Sequence, residues 1–333
     1  MNHITHHNKT FFNARWQENS EHLLNQVEKR HQSLSKNFKE ARAQSLALSF
    51  SDDFFHMFVQ AVQLNWPKPH CIWLLSHAAE LAWMHQRMLI DQGQLTPITC
   101  AGEEFVLTPA ASTYGTGLGQ WLNALNLNLL LRQPDEVINE LLRYPADLMD
   151  HHNAANQSME AEKKEMACFK AFVANALQPD LIDAANALTP YTQPGVISKL
   201  NGFEGHVAKG TEGYHHYVLF PIISTLLSCA KVQEENISIT TKNALAAFYE
   251  YHAFISPDPG EDTGEKSLQL FSDEAMLPLQ LIGMLALHHQ RTGETIDFTT
   301  DYLPSWLVEG DFPSREEVLF QQPPTFDLAS VKQ

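Results

Sequence analysis

WLNALNLNLLLRQPDEVINELLRYPADLM, residues 121–149, decides the fold. Its first half puts Trp121, Leu122, Leu125, Leu129 and Leu130 at the i, i+1, i+4, i+8, i+9 spacing of one buried helix face. Arg132-Gln133-Pro134-Asp135-Glu136 then breaks and restarts the helix, because proline fits a first turn and acids there complement the positive end of the helix dipole. Val137, Ile138, Leu141 and Leu142 repeat the stripe until Tyr144-Pro145, where the residue before proline is pushed out of the helical region. The stretch predicts two tightly joined antiparallel helices.

Upstream, CIWLLSHAAELAWMHQRMLI (71–90) is apolar on most sides and stops near Gly93, the position of a left-handed cap, which predicts a central buried helix. Between the two regions, Leu95 to Thr99 and Glu104 to Thr108 read as extended runs around Cys100-Ala101-Gly102-Glu103, a β-hairpin that Pro97 and Pro109 confine to an edge or surface. Gly115, Gly117 and Gly119 in TYGTGLGQW are spaced GxGxG rather than GxGxxG, with no following GK[ST], so they predict a tight connection and not a nucleotide site. Towards the N-terminus, residues 11–50 read as a polar amphipathic helix carrying Trp16, Leu23, Leu24, Val27 and Leu34. Asp52-Asp53 predicts the start of a second helix, with Phe54, Phe55, Phe58, Val59 and Val62 inward until Trp66-Pro67.

Downstream, residues 159–189 predict another helical pair with Met166, Phe169, Phe172 and Val173 on one face. Residues 191–214 hold five of the 15 glycines and predict a long loop, a kind of segment that is often functional in compact proteins. Helices over Tyr217–Val232, Thr240–Phe254 and Ser272–Arg291 follow, the last capped by Gly293. The expected fold is mainly α, an irregular array of antiparallel helix pairs around a buried central helix, with one small β-hairpin. The expected organisation is an N-terminal helical lobe over 1–69, a helical body over 70–312 and a loosely ordered tail over 313–333.

Charge is the strongest bulk signal. With 39 acids against 22 bases, the formal net charge of −17 repels nucleic acid and anionic membranes, and it attracts a basic protein partner. No apolar run reaches the roughly 18 residues of a membrane span, and MNHITHHNKTFFNARW lacks the basic start and apolar stretch of an export signal, so a soluble cytoplasmic protein is expected. Cys71, Cys100, Cys168 and Cys229 include no CxxC pair, which points to buried thiols rather than a zinc knuckle or redox dithiol.

Seventeen histidines invite a metal hypothesis. Doublets such as His151-His152, His215-His216 and His288-His289 are poor chelates, because adjacent residues diverge on a helix. Two Glu-x-x-His spacings, Glu28 with His31 and Glu212 with His215, resemble those of metal-carboxylate bundles, so a helical metalloenzyme is one alternative. His77 and Glu80 share a face of the central helix and read as a satisfied buried polar pair. No HExxH, GxSxG or Walker sequence occurs. No catalytic residue, cofactor or metal is assigned.

Taken in order, the apolar helix CIWLLSHAAELAWM, the stretch ending in EEFVLTP, the TYGTGLG lead-in to residues 121–149, and EAMLPLQLIGMLALHHQRTGETIDFTTDYLPSWLVEGDF with its Tyr302-Leu303-Pro304 turn resemble the immunity protein 49 family of bacterial polymorphic toxin systems. The resemblance covers roughly residues 70–312. It implies a helical protein, not an enzyme, that binds a toxin and neutralises it in the producing or sibling cell. Together with the charge, it leads to the expectation of a basic toxin domain, a nuclease above all, as the partner. The acidic stretch ISPDPGEDTGEKSLQLFSDE reads as a solvated loop or as an anionic contact surface; in the second reading Asp258, Glu261, Asp262 and Glu265 are the candidate toxin-binding charges, and Phe203, Tyr214 and Phe271 are candidate exposed anchors. A helical adaptor without a toxin partner is the other alternative.

Overall fold

A computed structural model describes residues 3–7, 9–37, 43–100, 103–152, 158–175, 177–255 and 272–330. The chain opens with β1 (His3–Ile4), α1 (Lys9–Ala14), α2 (Trp16–Asn37) and α3 (Ala43–Gln63), which lead into α4 (Lys68–Ile90). Every residue of α4 from Cys71 to Ala82 is buried, because α3 and α5 (Leu118–Leu130) flank it and other elements cover its remaining faces. This is the predicted central helix. Pro67 and Pro69 set its start, and Gly93 turns the chain beyond its end at φ 75°. Each fully buried Leu, Ile or Phe of its kind contributes about 1.5–3 kcal/mol relative to exposure.

The hairpin forms from β2 (Thr96–Cys100) and β3 (Glu103–Leu107), antiparallel with Thr96 opposite Leu107 and Cys100 opposite Glu103. Gly117 then caps α5, and Pro134 caps α6 (Asp135–Leu142), whose first turn carries Asp135 and Glu136. The indole of Trp121 donates to the carbonyl of Leu141, so the far end of α6 is tied to the start of α5. Asn128 of α5 donates to the carbonyl of Ala79 on α4, which fixes the pair against the central helix. Arg132, at the left-handed corner between α5 and α6 (φ 55°), sends its guanidinium to the carbonyls of Ala286 and Val308.

The second half contains α7 (Glu160–Val173), α8 (Gln178–Asn186), α9 (Val196–Leu200), α10 (Gly205–Tyr214), α11 (Phe220–Cys229), α12 (Ile237–Glu250), α13 (Asp273–Met276) and α14 (Leu279–Thr292). β4 (Thr299–Thr300), α15 (Ser305–Glu309) and α16 (Arg315–Val318) close it. β4 pairs in parallel with β1, which joins the start of the described chain to the segment after α14. α14 packs against α5 at Gly283, where a side chain would collide with Asn126. Arg315 of α16 reaches the buried carboxylate of Glu80 at 2.6 Å, and Trp73 of α4 donates to the carbonyl of Gln321.

Four expectations about elements are corrected. The Gly-rich interval 191–214 is not a long loop but a 3-10 turn followed by α9 and α10. Asp52-Asp53 does not start a helix; it lies inside α3, which begins at Ala43. The polar helix read over 11–50 is divided into α1, α2 and the first turns of α3. Pro278 caps α14 and separates it from the short α13, so Ser272–Arg291 is not one helix. The four cysteines are all buried and free, as their spacing predicts. Among the described residues, no helix is long and apolar enough to cross a membrane.

Candidate functional site

Gly195, Gly202 and Gly205 of the 191–214 interval take positive φ at turns between or at the start of short helices, whereas Gly210 and Gly213 lie within α10. Gly195 adopts φ 82° ahead of α9, and its N–H and that of Ser198 both donate to the Glu212 carboxylate at 2.7 Å. α10 then runs without a break into a π-helical turn, His215–Leu219, and on into α11. A π turn inserts an extra residue and rotates the side chains around it, a feature enriched at functional sites. Here the two histidines of the doublet part company.

His216 turns to Glu212, with Nε2 to Oε1 at 3.1 Å. His215 turns into the core, where Nδ1 meets Glu165 Oε1 at 2.7 Å and Nε2 lies 3.6 Å from Glu162 Oε1. Asn201 donates to the same Glu162 oxygen at 3.0 Å. Burial by itself would lower the His215 pKa, but Glu165 and Glu162 outweigh it and raise the group to about 10. Burial pushes the Glu165 carboxyl up against the attraction of His215, whereas the bonds from His215 and Asn201 overcome burial and hold Glu162 down. We take His215 to be the imidazolium between two carboxylates, since the 2.7 Å contact is a charge-assisted hydrogen bond.

These contacts separate one of the two Glu-x-x-His pairs of the metal alternative. Glu212 and His215 share no ligand position, because Glu212 binds His216 and the N-terminus of α9 while His215 points the other way. Glu28 accepts from Gln32, and His31 lies with its ring 5.4 Å from that of Trp73. Among the described residues, no group of three His, Cys, Asp or Glu side chains is arranged to hold a metal ion. His77 and Glu80 are not the satisfied pair that their spacing predicts. Glu80 goes to Arg315, while both ring nitrogens of His77 lack a hydrogen bond and the ring packs on Phe54 and Trp73.

A second π turn, Tyr251–Ile255, ends α12 and faces α10. A Cβ on Gly213 would collide with Ile255 and touch the Tyr251 ring, so glycine is required for this approach. Tyr251 donates through its hydroxyl to the Gly210 carbonyl at 3.3 Å, and the Tyr214 and Tyr251 rings stack edge to face at 5.6 Å. The chain enters residues 256–271 directly from this turn and returns at Ser272 and α13. Beside it lies a cleft of about 90 Å³ lined by Tyr214, Val218, Phe248 and His252, by Glu274, and by Phe55 and Asn123 of α3 and α5 among others. This cleft, which Glu274 lines, is the candidate site.

The predicted site residues fall as follows. Asp258, Glu261, Asp262, Glu265 and Phe271 lie outside the described residues. Phe203 and Tyr214 are half-buried, which corrects their reading as exposed anchors. Tyr214 nevertheless lines the cleft. Sequence reasoning missed Phe254, 51% exposed on the second π turn, and His252, because both were read as ordinary positions of a regular helix. The signal that could have found them was the closeness of Tyr249, Tyr251, His252 and Phe254 to the start of the acidic stretch.

A model of the family described as immunity protein 49 matches residues 75–307. No curated protein and no solved structure matches the chain.

Proposed function

Because the chain belongs to the immunity protein 49 family, we propose that it binds a cognate antibacterial toxin and neutralises it by forming a direct protein complex in the cytoplasm of the cell it protects. The observation that carries this reading is the family match over residues 75–307, more than half of the chain. The protein performs no chemistry of its own in this scheme. A toxin from a polymorphic system is held inactive by occupation or covering of its working surface.

Charge supports a basic toxin domain, a nuclease above all. A surface built to attract phosphate also attracts a partner of net charge −17, and complementary fields raise the encounter rate. Asp258, Glu261, Asp262 and Glu265 supply the charge in this proposal, and Phe203, Tyr214 and Phe271 are further contact residues. Phe254 is added from its exposure beside the first residue of the acidic stretch.

The test is co-expression with the toxin domain encoded in the adjacent reading frame, read as rescue of viability, followed by measurement of the complex's affinity. Rescue together with a purified one-to-one complex is the expected result. A toxin that is neither bound nor neutralised overturns the reading. Replacement of the four acids by Asn and Gln should weaken binding and flatten its salt dependence; unchanged affinity and salt slope remove those four residues from the interface.

A further inference from the structure

Resting on the reading of this chain as a toxin-binding protein, we propose that the cleft between Tyr214 and Glu274 is a socket for one cationic side chain, lysine or arginine, presented by the partner. The acceptors come first. Glu274 lines the cleft, and among the described residues no lysine or arginine pairs with it. Glu274 is an exposed residue, and the protein around it raises its pKa. Asp52 lies near enough to feel that carboxylate, and burial, Asp53 and Glu274 together raise it to about 6. The cleft therefore carries the negative charge of Glu274, with Asp52 near it and, among the described residues, no lysine or arginine in its lining.

The second observation is independent of these acids. His252 is 3% exposed and lines the cleft, and its Nδ1 has no hydrogen-bond partner. Burial and the neighbouring His7 lower it to about 4, so the ring is neutral at pH 7 and can offer a lone pair to a donor. An N–H of an ammonium or guanidinium group would satisfy it. Asn123 Oδ1, which accepts from Gln280 at 3.2 Å, adds a further acceptor to the same wall.

The walls and the size agree with that occupant. Phe55, Tyr214 and Phe248 surround the cleft, and aromatic faces attract cations. About 90 Å³ takes a side-chain head group but not a polypeptide segment. A partner steered by a field of net charge −17 is rich in such cations.

Binding to the toxin domain from the adjacent reading frame is measured for the full chain and for Glu274→Gln, Tyr214→Phe and, as a surface control, Glu309→Gln, each checked by circular dichroism and thermal unfolding. Glu274→Gln should weaken the complex about tenfold or more, mainly through faster dissociation. Tyr214→Phe, which keeps the ring, should give a smaller loss, and Glu309→Gln should bind as the unaltered chain does. Double-mutant cycles of Glu274→Gln against single Lys→Ala and Arg→Ala changes in the toxin should find strong coupling to one residue. If Glu274→Gln and Tyr214→Phe bind within twofold of the unaltered chain, or if the loss couples to no single cation, the socket is overturned and the toxin-binding reading stands. If the unaltered chain does not bind at all, both fall.

Discussion

The indole Nε1 of Trp121 donates to the carbonyl oxygen of Leu141 at 2.9 Å, from a side chain with no exposed surface. One residue thus fills the core and closes α5 on α6. Trp121→Ala should lower stability by about 3–5 kcal/mol, the range for removing a buried aromatic. Trp121→Phe keeps most of the volume and should cost less. Denaturant unfolding measures both, and toxin binding should fail only for protein that is unfolded. A folded Trp121→Ala chain that does not bind would move the interface onto this helix pair.

His215 is the cation of a buried cluster with two carboxylates. Its replacement by Leu leaves Glu165 buried without a counter-charge, which should cost about 3–5 kcal/mol. The double change His215→Leu with Glu165→Leu should recover much of that loss. The pH dependence has a definite sign. The folded-state value, about 10, is above the ordinary 6.5, so the stabilisation is full below pH 6.5 and disappears as pH rises through about 10. Thermal unfolding midpoints from pH 6.5 to 10 should therefore fall more steeply for the unaltered chain than for His215→Leu.

Arg315 and Glu80 are 235 residues apart in sequence and 2.6 Å apart in space, and the Glu80 side chain is 1% exposed. Removing the arginine takes the counter-charge of this ion pair away from a buried carboxylate. Arg315→Ala should destabilise by about 3–5 kcal/mol and Arg315→Lys by less, since an ammonium keeps the charge but loses the planar fork. Deleting residues 313–333 should do at least as much harm, because it also takes away the acceptor of the Trp73 indole, the Gln321 carbonyl. Chemical unfolding of the three variants orders them; no change on deletion would mean that the C-terminal segment leaves α4 in solution.

Gly283 and Gly119 look alike in sequence but not in space. A methyl group on Gly283 would meet Asn126 Oδ1 at 2.4 Å and its Cβ at 2.8 Å, so Gly283→Ala should push α14 away from α5 and cost about 1–3 kcal/mol. Gly119 has nothing within 4 Å of the same position, and Gly119→Ala should be neutral or stabilise by about 0.4–1 kcal/mol through the unfolded state. The unfolding midpoint should fall for Gly283→Ala and stay or rise for Gly119→Ala.

The sequence by itself determined the elements that depend on local pattern. The stripes of residues 121–149, the apolar run 71–90 and the alternation around Pro97 predict α5, α6, α4 and the hairpin, because helix and strand periods are written in neighbouring residues. Their order carried the family, and the composition carried the sign of the charge. Only the tertiary structure decided what distant side chains meet. The glycines of 191–214 read as a loop until Glu212 is seen binding the start of α9, and Glu212 and His215 read as a chelate until the π turn sends His215 to Glu165, 50 residues away. The cleft beside Tyr214 has the same origin: α3, α5, the two π turns and α13 each contribute a wall. A buried ion pair or a socket depends on which faces of separate helices come together, and no local period encodes that choice.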